Sequence, residues 1–150
     1  YYENAFIYDR RNPYVLQQGA LYLAGKNRYE DAFSWIDKAI SLTDDKYFSI
    51  RNTHAIILFN ANIRKNGANV RNELDTSMKI LEKCMHADSR KRFHAHTYGR
   101  QAIEYHNRFH DEYSVKYLNQ ALQWLNDEID QSAWDHETRR IKEMIMEILR

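Results

Sequence analysis

Chain punctuation is scarce in this sequence of 150 residues, which holds one proline and four glycines, where average usage would supply roughly seven and ten. A chain with so few places to turn sharply is poorly suited to a β-sandwich or a glycine-rich nucleotide-binding fold. Cysteine is nearly missing as well. Cys84 stands alone, which excludes an internal disulfide and a cysteine-rich zinc site and fits a reducing compartment. There is no excess charge of one sign: 22 Lys and Arg face 21 Asp and Glu, for a net charge of +1. That leaves no whole-chain attraction to nucleic acid or to an acidic membrane. No apolar run approaches the roughly 18 residues of a membrane span. The chain opens on Tyr1 rather than Met, and we expect it to be a segment of a longer, cytoplasmic protein. What is present is ample apolar material, 43% of residues with 13% aromatic, enough to exclude disorder.

The apolar residues recur with helical spacing. Asn12-Pro13 supplies an N-cap side chain followed by proline at the first helical position, and Leu16, Ala20 and Leu23 then form one stripe, broken at Gly25-Lys26-Asn27. Tyr29, Ala32, Ile36, Ala39 and Ile40 form a second stripe that stops at Asp44-Asp45. Further stripes run through Ile50, His54, Leu58 and Ala61, ending near Asn66-Gly67, and through Leu74, Met78, Leu81 and Met85. Ser89 is placed to cap a fifth helix carrying Tyr98, Ala102 and Tyr105, and a sixth follows Phe109-His110-Asp111 with Ser114, Leu118, Ala121 and Leu125. Ser132 and Asp135 form a capping box for a last helix with Trp134, Thr138, Ile141, Ile145 and Ile148. The first ten residues are expected to end a preceding helix. No linker or low-complexity stretch marks a second domain.

These seven expected helices pair into similar hairpins. Ala32, Ile36 and Ala39 recur as Leu74, Met78 and Leu81, then as Ser114, Leu118 and Ala121, at offsets of 42 and 40 residues. A fixed period in this range signals stacked supersecondary units. The first unit resembles a tetratricopeptide repeat: Tyr29-Glu30-Asp31-Ala32 with Ile36 and Ala39 matches that motif's second helix, and Leu16, Gly19-Ala20 and Leu23 match its first. The later units are degenerate, since Leu74, Leu81 and Ser114 replace small alanines, and they exceed the motif's length of about 34 residues. The resemblance implies an all-α, right-handed array of antiparallel helical hairpins in a single domain over 1–150, with repeats at about 13–46, 47–87 and 88–130 and a final helix over 132–150. A narrower resemblance rests on Asp9-Arg10-Arg11-Asn12-Pro13-Tyr14, Tyr29-Glu30-Asp31-Ala32 and Arg51-Asn52-Thr53-His54-Ala55. It is similar to degenerate repeats at the C-terminal ends of large bacterial proteins, several of them antiphage, that carry a STAND-class NTPase or sirtuin-like effector upstream. There the repeats recognise a trigger, and no phosphate loop stands in these residues.

Several constellations could carry chemistry. His106 and His110 sit four residues apart beside Asp111 and Glu112, with His94 and His96 before them. A zinc site wants a third ligand at a credible spacing, so solvated or core-edge histidines are the reading adopted, with no metal and no cofactor. Arg100 followed by His106 resembles the signature of HEPN ribonucleases, in which such a pair would stabilise a phosphorane-like charge and move a ribose proton. The spacing is loose, and Arg90 with His96 satisfies it too. Arg90-Lys91-Arg92 is the only basic cluster, and Arg92, His96 and Arg100 share one helix face near Phe93 and Tyr98, a face that could contact phosphate and stack bases. A solvated face beside acidic neighbours is the plainer reading.

Tyrosines number eleven. Tyr22, Tyr29, Tyr98, Tyr105 and Tyr117 are assigned to core packing, and Cys84 to a buried stripe. Transfer of the tetratricopeptide groove positions puts Tyr14, Gln17, Leu21, Asn52, Ile56, His96 and Ile103 on a concave wall, with Asn60, Arg100 and His106 beside it. That mix of amides, cations and apolar groups suits a protein or peptide ligand better than a catalytic pocket. The sequence reads as a non-catalytic recognition or scaffold module that works with upstream effector domains of the same chain. An RNA-binding or RNA-cutting module using residues 90–106 is the alternative.

Overall fold

Asn12 starts the first helix as its residue type demands: its Oδ1 accepts the N–H groups of Tyr14 at 2.9 Å and Val15 at 3.2 Å, with Pro13 at the first helical position. The structure, a computed structural model, describes residues 11–44, 46–129 and 136–150. Among them are seven α-helices: α1 (Pro13–Gly25), α2 (Tyr29–Leu42), α3 (Phe48–Asn62), α4 (Val70–Ala87), α5 (Lys91–Phe109), α6 (Glu112–Ile129) and α7 (His136–Leu149). No strand occurs among the described residues. The expected helix before Asn12 and the Ser132–Asp135 capping box lie outside the described residues. The chain divides into two compact units, one ending at Ile80 and one starting at Leu81, and the division falls within α4.

In the first unit α1 packs on α2, and both pack on α3. Its core is Leu16, Ala20, Leu23, Ala32, Ile36, Ala39, Ile50 and Ile57, with Tyr29, Phe33, Trp35 and Ile40 packed against it. Gly19 is required here: a Cβ on it would stand 2.0 Å from Cζ3 of Trp35, so the indole lies directly on the α1 backbone. The turn after α1 is a Schellman motif. Arg28 N–H donates to the Leu23 carbonyl and Asn27 N–H to the Ala24 carbonyl, with Asn27 in the left-handed region at φ 61°. Gly25 is therefore the last helical residue, and the residue that reverses the chain is Asn27. Ser77 of α4 ties to α3 by donating to the Ala55 carbonyl at 2.6 Å.

In the second unit α5 packs on α6 and α7, and α6 packs on α7. Tyr98 and Tyr105 of α5 are buried in an aromatic cluster with Tyr117 and Trp124 of α6 and with Phe109, ring centroids 4.9–6.0 Å apart. A Cβ on Gly99 would meet Cγ2 of Ile141 at 2.7 Å, so this glycine sets the approach of α7. His110 follows the last residue of α5 in the left-handed region at φ 48°, and Asp111 immediately precedes α6. Asp111 Oδ1 accepts the Ser114 N–H while Ser114 Oγ accepts the Asp111 N–H, both at 3.0 Å, a reciprocal capping box.

All nine residues of the recurring triads are fully buried: Ala32, Ile36 and Ala39 on α2, Leu74, Met78 and Leu81 on α4, and Ser114, Leu118 and Ala121 on α6. Cys84 is buried as expected. Two expectations fail. Tyr22 is 44% exposed, because it lies off the Leu16–Ala20–Leu23 face, where its ring instead takes the Lys26 ammonium at 5.7 Å. Ser89 does not cap α5. The cap position is Arg90, which makes no side-chain cap bond. Asp88 instead engages the segment leading into α5, with Oδ1 accepting the Arg90 N–H at 3.2 Å and Oδ2 lying 2.7 Å from His94 Nε2.

Candidate recognition surfaces

Helices α1 and α3 position the first-unit residues assigned to the concave wall. Tyr14, on the first turn of α1, is 67% exposed, and Asn60 of α3 is exposed. Leu21 and Ile56 are half-buried. Gln17 is committed internally: its Nε2 donates to the Ser49 carbonyl at 3.2 Å and to Thr53 Oγ1 at 2.9 Å, bridging α1 to α3. Asn52 is 0% exposed, so its amide is not on a wall. The cause is the burial of α3 on several sides at once, where Asn52, Thr53, Ala55, Ile57, Leu58 and Phe59 are all buried. A buried amide of this kind is held by hydrogen bonds and serves packing.

The second-unit residues lie along α5 and turn to different neighbours. Arg100 Nη1 donates to Glu137 Oε1 of α7 at 2.9 Å, and Arg140 holds the same carboxylate through Nη2 at 2.8 Å and Nε at 3.1 Å. These guanidinium bonds, Arg140 foremost, bring the Glu137 carboxyl down to about 2. His96 bonds Thr138 of α7 through Nε2. Ile103 is 7% exposed. His106 faces the other way, its Nδ1 2.8 Å from Ser114 Oγ at the start of α6.

The groups named in the chemical readings have these partners. The Arg92–His96–Arg100 stripe spends His96 and Arg100 on α7, and Tyr98, meant to stack bases, is 1% exposed with its hydroxyl donating to Glu82 at 2.9 Å. Burial and the adjacent Glu82 charge hold that hydroxyl well above the ordinary tyrosine range. Arg100 and His106, the HEPN-like pair, are held by α7 and α6 respectively. Ser114 Oγ donates to the Asp111 carbonyl at 2.8 Å, so its single proton is already used. The His106–Ser114 contact ties α5 to the cap of α6. The His106 and His110 rings lie 4.7 Å apart, yet among the described residues no three His, Cys, Asp or Glu side chains gather to hold a metal. No helix among the described residues is long and apolar enough to cross a membrane.

A cleft of about 580 Å³ opens beside Ile103, between α5 and α7, lined also by Asn107, Glu143, Met144, Glu147 and Ile148. Of these residues the concave wall expected from sequence included Ile103 alone, while Ile148 stood in the apolar stripe of the last helix. The signal was available in Glu143 and Glu147, like charges one helical turn apart next to Met144 and Ile148, a pattern that is unfavourable on a helix standing alone. Comparison of the chain with protein-family models, with curated proteins and with solved structures finds no match.

Proposed function

We propose that this chain is a non-catalytic protein-recognition module, a right-handed array of tetratricopeptide-like hairpins. In this reading it is the sensor or scaffold part of a larger, cytoplasmic bacterial protein whose upstream effector resembles a STAND NTPase or a sirtuin-like domain, in the manner of antiphage systems. One observation carries the reading: the recurrence of fully buried triads at offsets of 42 and 40 residues on α2, α4 and α6. Repeated helical pairs bury their own faces and leave extended surfaces for partners. Support also comes from the polar groups weighed for chemistry, because Arg100, His96, His106 and Ser114 are all engaged in helix–helix or capping contacts. The exposed Tyr14 and the cleft beside Ile103 offer the aromatic and apolar anchor points that protein interfaces favour.

Selection from a random peptide display library against the chain tests this reading. Enrichment of a consensus peptide that competes with neither short RNA nor nucleotide is the expected result. Failure to enrich any peptide, together with RNA binding that falls steeply as salt rises, would overturn it.

A further inference from the structure

Two features of the second unit have complementary chemistry. The α5–α7 cleft has an apolar floor of Ile103, Met144 and Ile148, with Met144 42% exposed, and a rim of Asn107, Glu143 and Glu147. Glu143 has no ion-pair partner among the described residues. Among the described residues Glu147 pairs with Arg150, at 2.9 Å, and both side chains are about three-quarters exposed, so the pair is weak and readily exchanged. At the start of α5 stands the reverse pattern. Phe93 is 50% exposed and directly follows Arg90, Lys91 and Arg92, all of them exposed. The Arg90 side chain is 73% exposed and reaches Asp88 only at 3.9 Å.

We propose that Phe93 of one copy of this chain seats in the α5–α7 cleft of a second copy. The phenyl ring lies on Ile103, Met144 and Ile148, and Arg90 and Lys91 lie against Glu143 and Glu147. The cleft volume of about 580 Å³ is in the range that holds a ligand larger than one side chain, so the ring enters with its flanking backbone. The flexible Met144 side chain adapts to an aromatic guest. Asn107 can hydrogen-bond that backbone. The net charge of +1 imposes little long-range repulsion between copies. Phe93 and Ile103 are ten positions apart on α5, about 15 Å along the helix axis. Knob and cleft are thus separate sites, and in the head-to-tail contact proposed here each added copy leaves one knob and one cleft unused. This association does not depend on the recognition reading.

Sedimentation velocity over an about hundredfold concentration series tests it, since mass action sets the degree of association. The average mass is expected to climb past that of two chains and to fall as salt rises. Phe93→Ala alone, and Glu143→Lys with Glu147→Lys, are each expected to weaken association about thirtyfold with unchanged circular dichroism. An equimolar mixture of the two variants retains one intact knob and one intact cleft, and is expected to assemble to two chains and stop. A single chain carrying Arg90→Glu, Lys91→Glu, Glu143→Lys and Glu147→Lys together is expected to regain association by exchanged charge. A monomer mass throughout the series overturns the proposal, as does a folded Phe93→Ala or Glu143→Lys, Glu147→Lys variant that associates like the unsubstituted chain, or a mixture of the two that fails to pair.

Discussion

Arg100 and His106 share one helix but are held by opposite neighbours, Arg100 by Glu137 of α7 at 2.9 Å and His106 by Ser114 of α6 at 2.8 Å. These two side chains fix α5 to the helices on either side of it. His106→Ala is expected to leave any trace of RNA turnover unchanged and to cost about 0.5–1.5 kcal/mol of stability, the usual net value of one internal hydrogen bond. Urea unfolding of the variant, beside a gel assay with short RNA, checks both halves.

The glycines separate sharply by environment. Gly19→Ala would push a methyl to 2.0 Å from the Trp35 ring, and overpacking of this kind costs about 1–3 kcal/mol. Gly25→Ala meets nothing within 4 Å and lies at a helical position, so it is expected to be neutral or to stabilise by up to about 1 kcal/mol. Combining Gly19→Ala with Trp35→Ala should cost less than the sum of the two. Thermal melts of the four variants suffice.

Capping gives a second contrast. Asn12→Ala removes the acceptor for two first-turn N–H groups and is expected to cost about 1 kcal/mol. Ser89→Ala is expected to be neutral, because Asp88 rather than Ser89 engages the start of α5. Equal losses from Ser89→Ala and Asn12→Ala would refute this assignment.

The acid limb of stability follows from two carboxylates. Hydrogen bonds from Arg140 and Arg100 outweigh burial and bring Glu137 from an ordinary 4.5 to about 2. At Asp88 burial acts upward, but the hydrogen bond and charge of His94 and the N–H and charge of Arg90 carry the net shift downward. Both carboxyls have folded-state values below their unfolded ones. Their stabilising contribution is therefore complete above the unfolded value and disappears as pH falls through the folded one. For Glu137 the window runs from about 4.5 down to about 2. Arg140→Ala should move the Glu137 titration upward by NMR, and Asp88→Asn should flatten the loss of stability below the ordinary aspartate range.

Much of the architecture was legible because each paired helix buries one stripe. The α2, α4 and α6 triads are all fully buried, and the Asn12-Pro13 start, the Asn27 region and the Phe109-His110-Asp111 junction fall where residue chemistry places them. The α3 helix was less legible because a helix packed on several sides has no single stripe. The spacing of Ile50, His54, Leu58 and Ala61 understated its burial and left Asn52 assigned to a surface. Contacts between distant residues were not legible either. Nothing local announces that Gln17 spends its amide on Ser49 and Thr53, or that Arg100 finds Glu137. The cleft escaped for the same reason, since Ile103 and Met144 meet only through packing of α5 on α7.

Hydrogen exchange with and without the best peptide from a display selection tests the recognition role most directly. Added protection confined to the α1 and α3 segments carrying Tyr14 and Asn60, or to the α5 and α7 segments carrying Ile103 and Met144, is the expected result. Peptides that bind nowhere on these helices, or protection restricted to the turns at Lys26–Arg28 and Asn66–Asn69, would contradict it.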